Sequence, residues 1–159
     1  MLIKEIYGDN YSGKYVRTRT ACRAIITDNG KILLSYAKAE DVWMLPGGGL
    51  ENNESFAECC IREAAEETGY VIEPSDCVLQ INEYYEDCRY VSKYFFAAVI
   101  GNTDVKLTEA EIKAELVPQW IPINAAVDIF SKHALYADSF EMKRGLYLRE
   151  FTALKELLK

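Results

Sequence analysis

The amino-acid sequence predicts a mixed α and β fold built around one hydrophobic core. Three observations carry this: a turn flanked by two β-rich runs, a glycine-rich loop followed by a capped helix, and an amphipathic stretch near the end of the chain. The 159 residues, half of them apolar, suit one compact domain, and no repeat, low-complexity tract or Pro/Ser-rich linker divides them. A single domain over residues 1–159 is expected.

The elements follow in order. Residues 16–27 are rich in β-branched and apolar side chains, Asp28-Asn29-Gly30 signals a tight turn, and residues 31–36 resume an apolar run; together they predict a β-hairpin. Residues 77–85, 90–100 and 117–123 are further strand candidates. Over residues 140–158, Tyr147, Phe151, Leu154 and Leu158 recur at helical spacing, which predicts an amphipathic helix packed on the sheet, its apolar stripe serving as core.

Charge narrows the partners. Lys and Arg number 18 against 25 Asp and Glu, a formal charge of -7, so the chain has no general attraction to a long nucleic acid or an anionic membrane. A small anionic substrate would have to be met by a local cluster of basic side chains or by metal ions. Met1-Leu2-Ile3-Lys4-Glu5-Ile6 lacks the apolar run of a signal peptide, and no later stretch is long enough to span a bilayer, so a cytoplasmic location is expected. The five cysteines, Cys22, Cys59, Cys60, Cys77 and Cys88, are odd in number and show no C-x-x-C spacing, and are expected to be reduced structural thiols.

The most informative segment is residues 43–70. Pro46-Gly47-Gly48-Gly49 suits neither a helix nor an ordinary strand, because successive glycines admit close backbone approach and positive φ; a shaped loop is expected. Ser55 with Glu58 forms a capping-box signature, residues 56–68 contain no Gly or Pro, and Gly69 stands where a helix C-terminal glycine belongs. The spacing predicts a helix over 56–68, with Phe56, Cys60, Ala64, Ile61 and Ala65 as its apolar side.

On that helix Glu63, Glu66 and Glu67 fall at i, i+3 and i+4, within an arc of roughly 100°. A solvated acidic stripe, with Arg62 pairing to Glu66, is one reading. Against it, like charges at these spacings repel, and Glu66 and Glu67 lie in the last turn, where the helix dipole disfavours anions. A divalent cation held by converging carboxylates would remove both penalties. An all-oxygen set favours Mg²⁺, with Mn²⁺ as a substitute, over zinc, and the chain has a single histidine. Such a cation keeps open positions that substrate phosphate oxygens can fill, which points to displacement at phosphorus.

Gly48, Glu54, Arg62-Glu63, Glu66-Glu67 and Gly69 match the pattern G-x5-E-x7-R-E-U-x-E-E-x-G-U, in which U is bulky and apolar. Every fixed letter is present, in a loop followed by a helix. The segment resembles the Nudix box. Ala64 is small where that family usually places Leu, Ile or Val, and Tyr70 is aromatic at the last apolar position. The preceding hairpin, the lead-in Trp43-Met44-Leu45-Pro46 and Trp120-Ile121-Pro122-Ile123 are similar to the family as well.

The resemblance implies an α/β/α sandwich with a mixed β-sheet between helices, and Mg²⁺-dependent cleavage of a phosphoanhydride bond in a nucleoside diphosphate linked to a moiety X. It implies Glu66 and Glu67 as principal metal ligands, Glu63 as a third ligand or general base, a bracing pair between Arg62 and Glu54, and Gly48 as a carbonyl donor to the metal or a space left for it. It also implies a further acidic ligand from a later loop; of Glu109, Glu111 and Glu115, Glu111 is selected.

Arg19 and Arg23 share strand parity and so face one side of the sheet, either toward substrate phosphates or toward solvent. His133 lies in a polar loop. Tyr84, Tyr85 and Tyr90 could stack on a base, although aromatics on strands more often pack. In this family a downstream proline suggests ADP-ribose and a tyrosine suggests dinucleoside polyphosphates; Tyr84 and Tyr85 stand in that stretch without a proline. Nucleoside triphosphates, dinucleoside polyphosphates and nucleotide sugars remain open.

The competing class is a nucleotide-sensing module that binds without cleaving, which the complete acidic set disfavours. A Nudix-fold isomerase of isoprenoid diphosphates would need an activated cysteine, and none is signalled. A homodimer is compatible with the resemblance.

Overall fold

A computed structural model describes residues 1–159. The first strand, β1 (Leu2–Tyr7), lies parallel to a strand more than seventy residues away, with Leu2 opposite Leu79 and Tyr7 opposite Tyr84. Sequence reading missed it because Leu2-Ile3-Lys4-Glu5 breaks the period of two, and only the distant partner makes it a strand.

The predicted hairpin is present as β2 (Arg17–Asp28) and β3 (Lys31–Ala37), but the two pair only at Thr27–Ile32 and Asp28–Lys31. Beyond that corner they diverge. β2 continues as a parallel partner of a later strand over Arg17–Ile26, while β3 takes β4 (Val42–Met44) on one edge. The edge of β2 that β3 leaves open receives β5 (Gly47–Gly49), with Cys22 opposite Gly48 and Arg23 opposite Gly47. Part of the expected glycine loop is thus a short strand, held because backbone hydrogen bonds were available there.

Helix α1 (Phe56–Thr68) has the expected bounds. Ser55 accepts from the Glu58 N–H, the Glu58 side chain accepts from the Ser55 N–H, and Gly69 closes the helix at φ 74° with its N–H on the Ala65 carbonyl. Strand β6 (Tyr70–Tyr85) begins seven residues before the expected start at 77, passing Pro74 through irregular register, and pairs antiparallel with β7 (Cys88–Asn102). After α2 (Glu109–Lys113), strand β8 (Leu116–Pro122) adds to β3. The chain turns helical at Ile123, as α3 (Ile123–Ser131), where sequence reading saw only the end of a strand. A 3₁₀ turn over His133–Tyr136 leads to α4 (Glu141–Leu157), the expected terminal helix.

The strands form one mixed sheet in the order β1-β6-β7-β2-β3-β4, with β5 added to β2 and β8 to β3. Alternation along β2 sends Ala24 and Ile26 to one face and Ile25 to the other. Ala24 and Ile26 join Leu33, Ile72 and Phe95 beneath Cys59, Cys60 and Ala64 of α1. Ile25 joins Leu34, Leu79, Ile81 and Tyr94 beneath Phe130 of α3 and Tyr147 and Leu154 of α4. This is the α/β/α sandwich that the resemblance implied.

Two expectations about helix faces need correction. Phe56 is exposed and carries the Lys93 ammonium 4.5 Å from its ring centre, while Cys59 takes the buried place. On α4 the buried stripe includes the charged Lys143 and Glu150 beside Tyr147 and Leu154, because each finds a polar partner inside. All five cysteines are free thiols.

A Cβ on Gly69 would stand 2.9 Å from the Thr103 carbonyl, and the left-handed backbone itself costs an L-residue about 1–2 kcal/mol. Gly69→Ala should therefore lower the unfolding free energy obtained from urea titration by at least about 1–2 kcal/mol; an unchanged value would show that α1 does not depend on this cap.

Candidate active site

The site is assembled where α1 meets the glycine strand β5. Arg62 projects from the middle of α1 and grips Glu54 with two hydrogen bonds, Nε to Oε1 at 2.6 Å and Nη2 to Oε2 at 3.2 Å. The same guanidinium donates to the Gly49 carbonyl at 3.0 Å, to Glu63 at 2.9 Å and to Glu66 at 3.2 Å. One cation thus ties the loop, the helix entry and two of the three helix carboxylates. The Arg62 hydrogen bonds hold the Glu54 carboxyl below its usual range.

Glu63, Glu66 and Glu67 share a face, as their spacing requires, yet they differ in surroundings. Glu66 is partly exposed, Glu63 is mostly buried, and Glu67 is only 5 % exposed. Glu67 reaches across to the sheet, where Oε2 accepts from Ser35 Oγ at 3.1 Å and from the Gly47 N–H at 3.3 Å. Burial, then the charges of Glu63 and Glu111, push Glu67 up to about 8. Burial also raises Glu63, against the pull of Arg62.

Gly48 closes over Glu63. A Cβ there would lie 2.4 Å from the Glu63 carboxyl carbon, so a side chain at this position would have to displace the Glu63 carboxylate, and the Gly48 carbonyl accepts weakly from Cys59 Sγ at 3.5 Å. Glu111 lies on α2, where it accepts from the Thr108 N–H at 2.8 Å. The Lys106 N–H on the Glu66 carbonyl and the Thr103 N–H on the Gly69 carbonyl fasten the preceding segment to the end of α1. Glu115 is exposed, at a positive φ of 55°.

The expectation of converging carboxylates is met only in part. No group of three or more His, Cys, Asp or Glu side chains gathers tightly enough here to hold an ion. Arg62 occupies Glu63 and Glu66 while Glu67 turns to Ser35 and Gly47, so each like charge has its own donors. The residues still fit a hard divalent cation: the donors are oxygens, the glycine at 48 leaves the Glu63 carboxylate undisturbed, and Mg²⁺ needs only one or two carboxylates besides water and phosphate.

Beside Gly48 and Gly49 opens a cavity of about 210 Å³ whose lining includes Arg19, Arg23, Ser92 and Arg149. Both arginines singled out in the sequence line it, with Arg23 Nε donating to Ser92 Oγ at 3.3 Å. Arg149 was missed. It faces inward from α4, 3.1 Å from Glu150 and 3.5 Å from Glu83, and nothing in the sequence distinguishes it from an ordinary solvated helix arginine. The tyrosines divide. Tyr84 is buried in a cluster, stacked on Tyr7 at 4.7 Å, whereas Tyr85 and Tyr90 line a second, larger cavity. His133 packs near Phe151 and lines neither cavity.

An α/β/α sandwich whose acidic helix meets a glycine loop next to an arginine-lined cavity defines a class of phosphate-handling sites. The NUDIX domain family model matches residues 17–144, and the chain belongs to the Nudix hydrolase family. It is similar to the protein named "Putative ADP-ribose pyrophosphatase YjhB" of Bacillus subtilis (strain 168), at 36% identity over 73 residues, 45% of this chain and 35% of that one. It is also similar to an RNA pyrophosphohydrolase of Halorhodospira halophila (strain DSM 244 / SL1), at 40% identity over 45 residues, 28% of this chain and 25% of the other. The matches thus span about a third or less of these relatives. Among solved structures, a NUDIX hydrolase from Nitrosomonas europaea has the same fold, with a TM-score of 0.60 and 22% identity over 84% of this chain and 90% of that one.

A buried acid that is raised in the fold holds its proton more tightly folded than unfolded. Its contribution to stability is therefore present below the ordinary carboxyl range and is lost as pH rises through about 8. In chelator, the wild-type chain should lose stability between about pH 4.5 and 8, and Glu67→Gln should flatten that slope. Equal slopes in the two proteins would show that Glu67 is not the titrating group.

Proposed function

We propose that this protein is a Mg²⁺-dependent pyrophosphohydrolase, with Mn²⁺ as a substitute, that cleaves a phosphoanhydride bond of a small nucleoside diphosphate linked to a moiety X. The observation that carries this reading is the junction at Gly48. The missing Gly48 side chain leaves room for the Glu63 carboxylate on the α1 side, and the backbone of Gly48 and Gly49 also lines the arginine-lined cavity.

In this reading Glu66 and Glu67 are the principal ligands, the Gly48 backbone leaves the space, and Glu111 supplies the acid from outside the box. Glu63 is the third ligand or the base that takes the proton of the attacking water. A bound Mg²⁺ would neutralise charge on the pyrophosphate and lower the pKa of that water. The chain's own residues do the rest. Arg19, Arg23 and Arg149 orient the phosphates from the cavity wall, and the Arg62–Glu54 pair keeps the glycine strand in register with α1. Water oxygen adds to one phosphorus, the bond from that phosphorus to the bridging oxygen breaks, and the displaced phosphate leaves with the bridging oxygen.

We take residues 1–159 to be one domain that acts in the cytoplasm on a small nucleotide, without long nucleic acid or membrane, and allow a homodimer. The free thiols and the charge of -7 support this, and no helix is long and apolar enough to cross a membrane. The relatives' names point to different substrates, so moiety X stays a class.

Formation of nucleoside monophosphate and the phosphorylated leaving group from a nucleotide panel, with and without Mg²⁺, tests the reading. Turnover should require the cation, and Glu67→Gln should lose most of it because a principal metal ligand is removed. Metal-independent binding without turnover of any panel member would instead favour a nucleotide sensor. For the outer ligand, Glu111→Gln should weaken metal affinity and Glu115→Gln should not; the reverse would move the assignment to Glu115.

A further inference from the structure

The arginine-lined cavity does not end at the arginines. It shares Glu83, Tyr90 and Arg149 with the second cavity, of about 480 Å³, which runs between β6, β7 and α4 past Tyr85, Gly145 and Leu146. The two form one groove with a cationic end, a polar waist and an aromatic and apolar end.

The waist holds an underused acceptor. Glu83 is only 4 % exposed, and its ionic partner, Arg149 Nη1, stands 3.5 Å away, beyond a good hydrogen bond. Arg149 is engaged more closely by Glu150, at 3.1 Å. A carboxylate can accept about four hydrogen bonds, so Glu83 has capacity left toward the groove. At the far end the Tyr85 and Tyr90 rings stand 6.3 Å apart, tilted by 59°, and the buried Tyr85 hydroxyl has no hydrogen-bond partner. A Cβ on Gly145 would lie 3.3 Å from that hydroxyl, with no other residue's atoms within 4 Å.

We propose that this groove binds the nucleoside half of a ribonucleotide, with the ribose vicinal hydroxyls donating to Glu83 and the base lying in the tyrosine-lined cavity. This rests on the nucleotide reading of the site, and it selects ribonucleotides over 2′-deoxyribonucleotides. The order of parts in a nucleotide requires it: with phosphates on Arg19, Arg23 and Arg149, the next unit along is the sugar, at the waist, and then the base. A missing 2′-hydroxyl leaves a buried carboxylate short of a donor, a loss on the order of 10–100-fold in affinity.

The test is calorimetric titration, in Mg²⁺, of α,β-methylene analogues of the four ribonucleoside diphosphates and of their 2′-deoxy forms, which cannot be cleaved at the anhydride. At least one ribo analogue should bind roughly 10–100-fold tighter than its deoxy form, and Glu83→Gln should reduce that ratio at least threefold, to about the size of one weakened hydrogen bond. No binding, ratios near one in every pair, or an unchanged ratio in folded Glu83→Gln would overturn the assignment. Should Glu83→Gln not fold, Gly145→Leu carries the test. It should weaken every analogue by about tenfold or more through lost space, while inorganic pyrophosphate binds as before; unchanged analogue affinity would overturn the assignment. Turnover of nucleotides without ribose selectivity rejects the groove and leaves the hydrolase reading standing. Ribose-selective binding without turnover does the opposite.

Discussion

The guanidinium of Arg62 is the joint on which the site depends. It binds Glu54, the Gly49 carbonyl, Glu63 and Glu66 at once, so the loop, the helix entry and the carboxylate face cannot move independently. Arginine suits this place because its planar fork presents five donors in fixed directions; a lysine would keep the charge and lose the geometry. The neighbouring Glu67 shows the complementary constraint. It is buried against Ser35 and the Gly47 N–H, and without a cation nearby its charge is strongly disfavoured.

The same stretch of backbone is held from the other layer of the sandwich. Glu150 of α4 accepts from the Leu45 N–H at 2.9 Å, the Tyr147 hydroxyl accepts from the Trp43 N–H at 3.1 Å, and Lys143 donates to the Asp41 carbonyl at 2.7 Å. The lead-in to the glycine strand is thus clamped between α1 and α4, with β2 beneath it. Buried charges on α4 are tolerated because each is paired with a polar group of the loop or sheet. Their role is to shape the loop, and through Arg149 they also reach the arginine-lined cavity.

Much of this was legible because it is local. A capping box, an uninterrupted run and a terminal glycine define α1, and i, i+3, i+4 spacing puts three carboxylates on one face whatever surrounds them. The 28–30 turn is equally local. By contrast β1, α3 and the early start of β6 take their form from distant partners. Phe56 could not be told from Cys59 as the buried residue, since both lie on flanks of the same helix and only the sheet's position chooses between them.

The sequence by itself determined the helix, its cap, the acidic face, the glycines that leave space beside it and the family, because each is a matter of residue type at fixed short spacing. Tertiary structure alone decided which carboxylate is buried, that Arg62 would separate them, and that β3 would leave the edge of β2 to the glycine strand. It alone also brought Arg149 and Glu83 beside Arg23, so that the two cavities run together. These depend on contacts between residues far apart in the chain, whose joint placement no local pattern encodes.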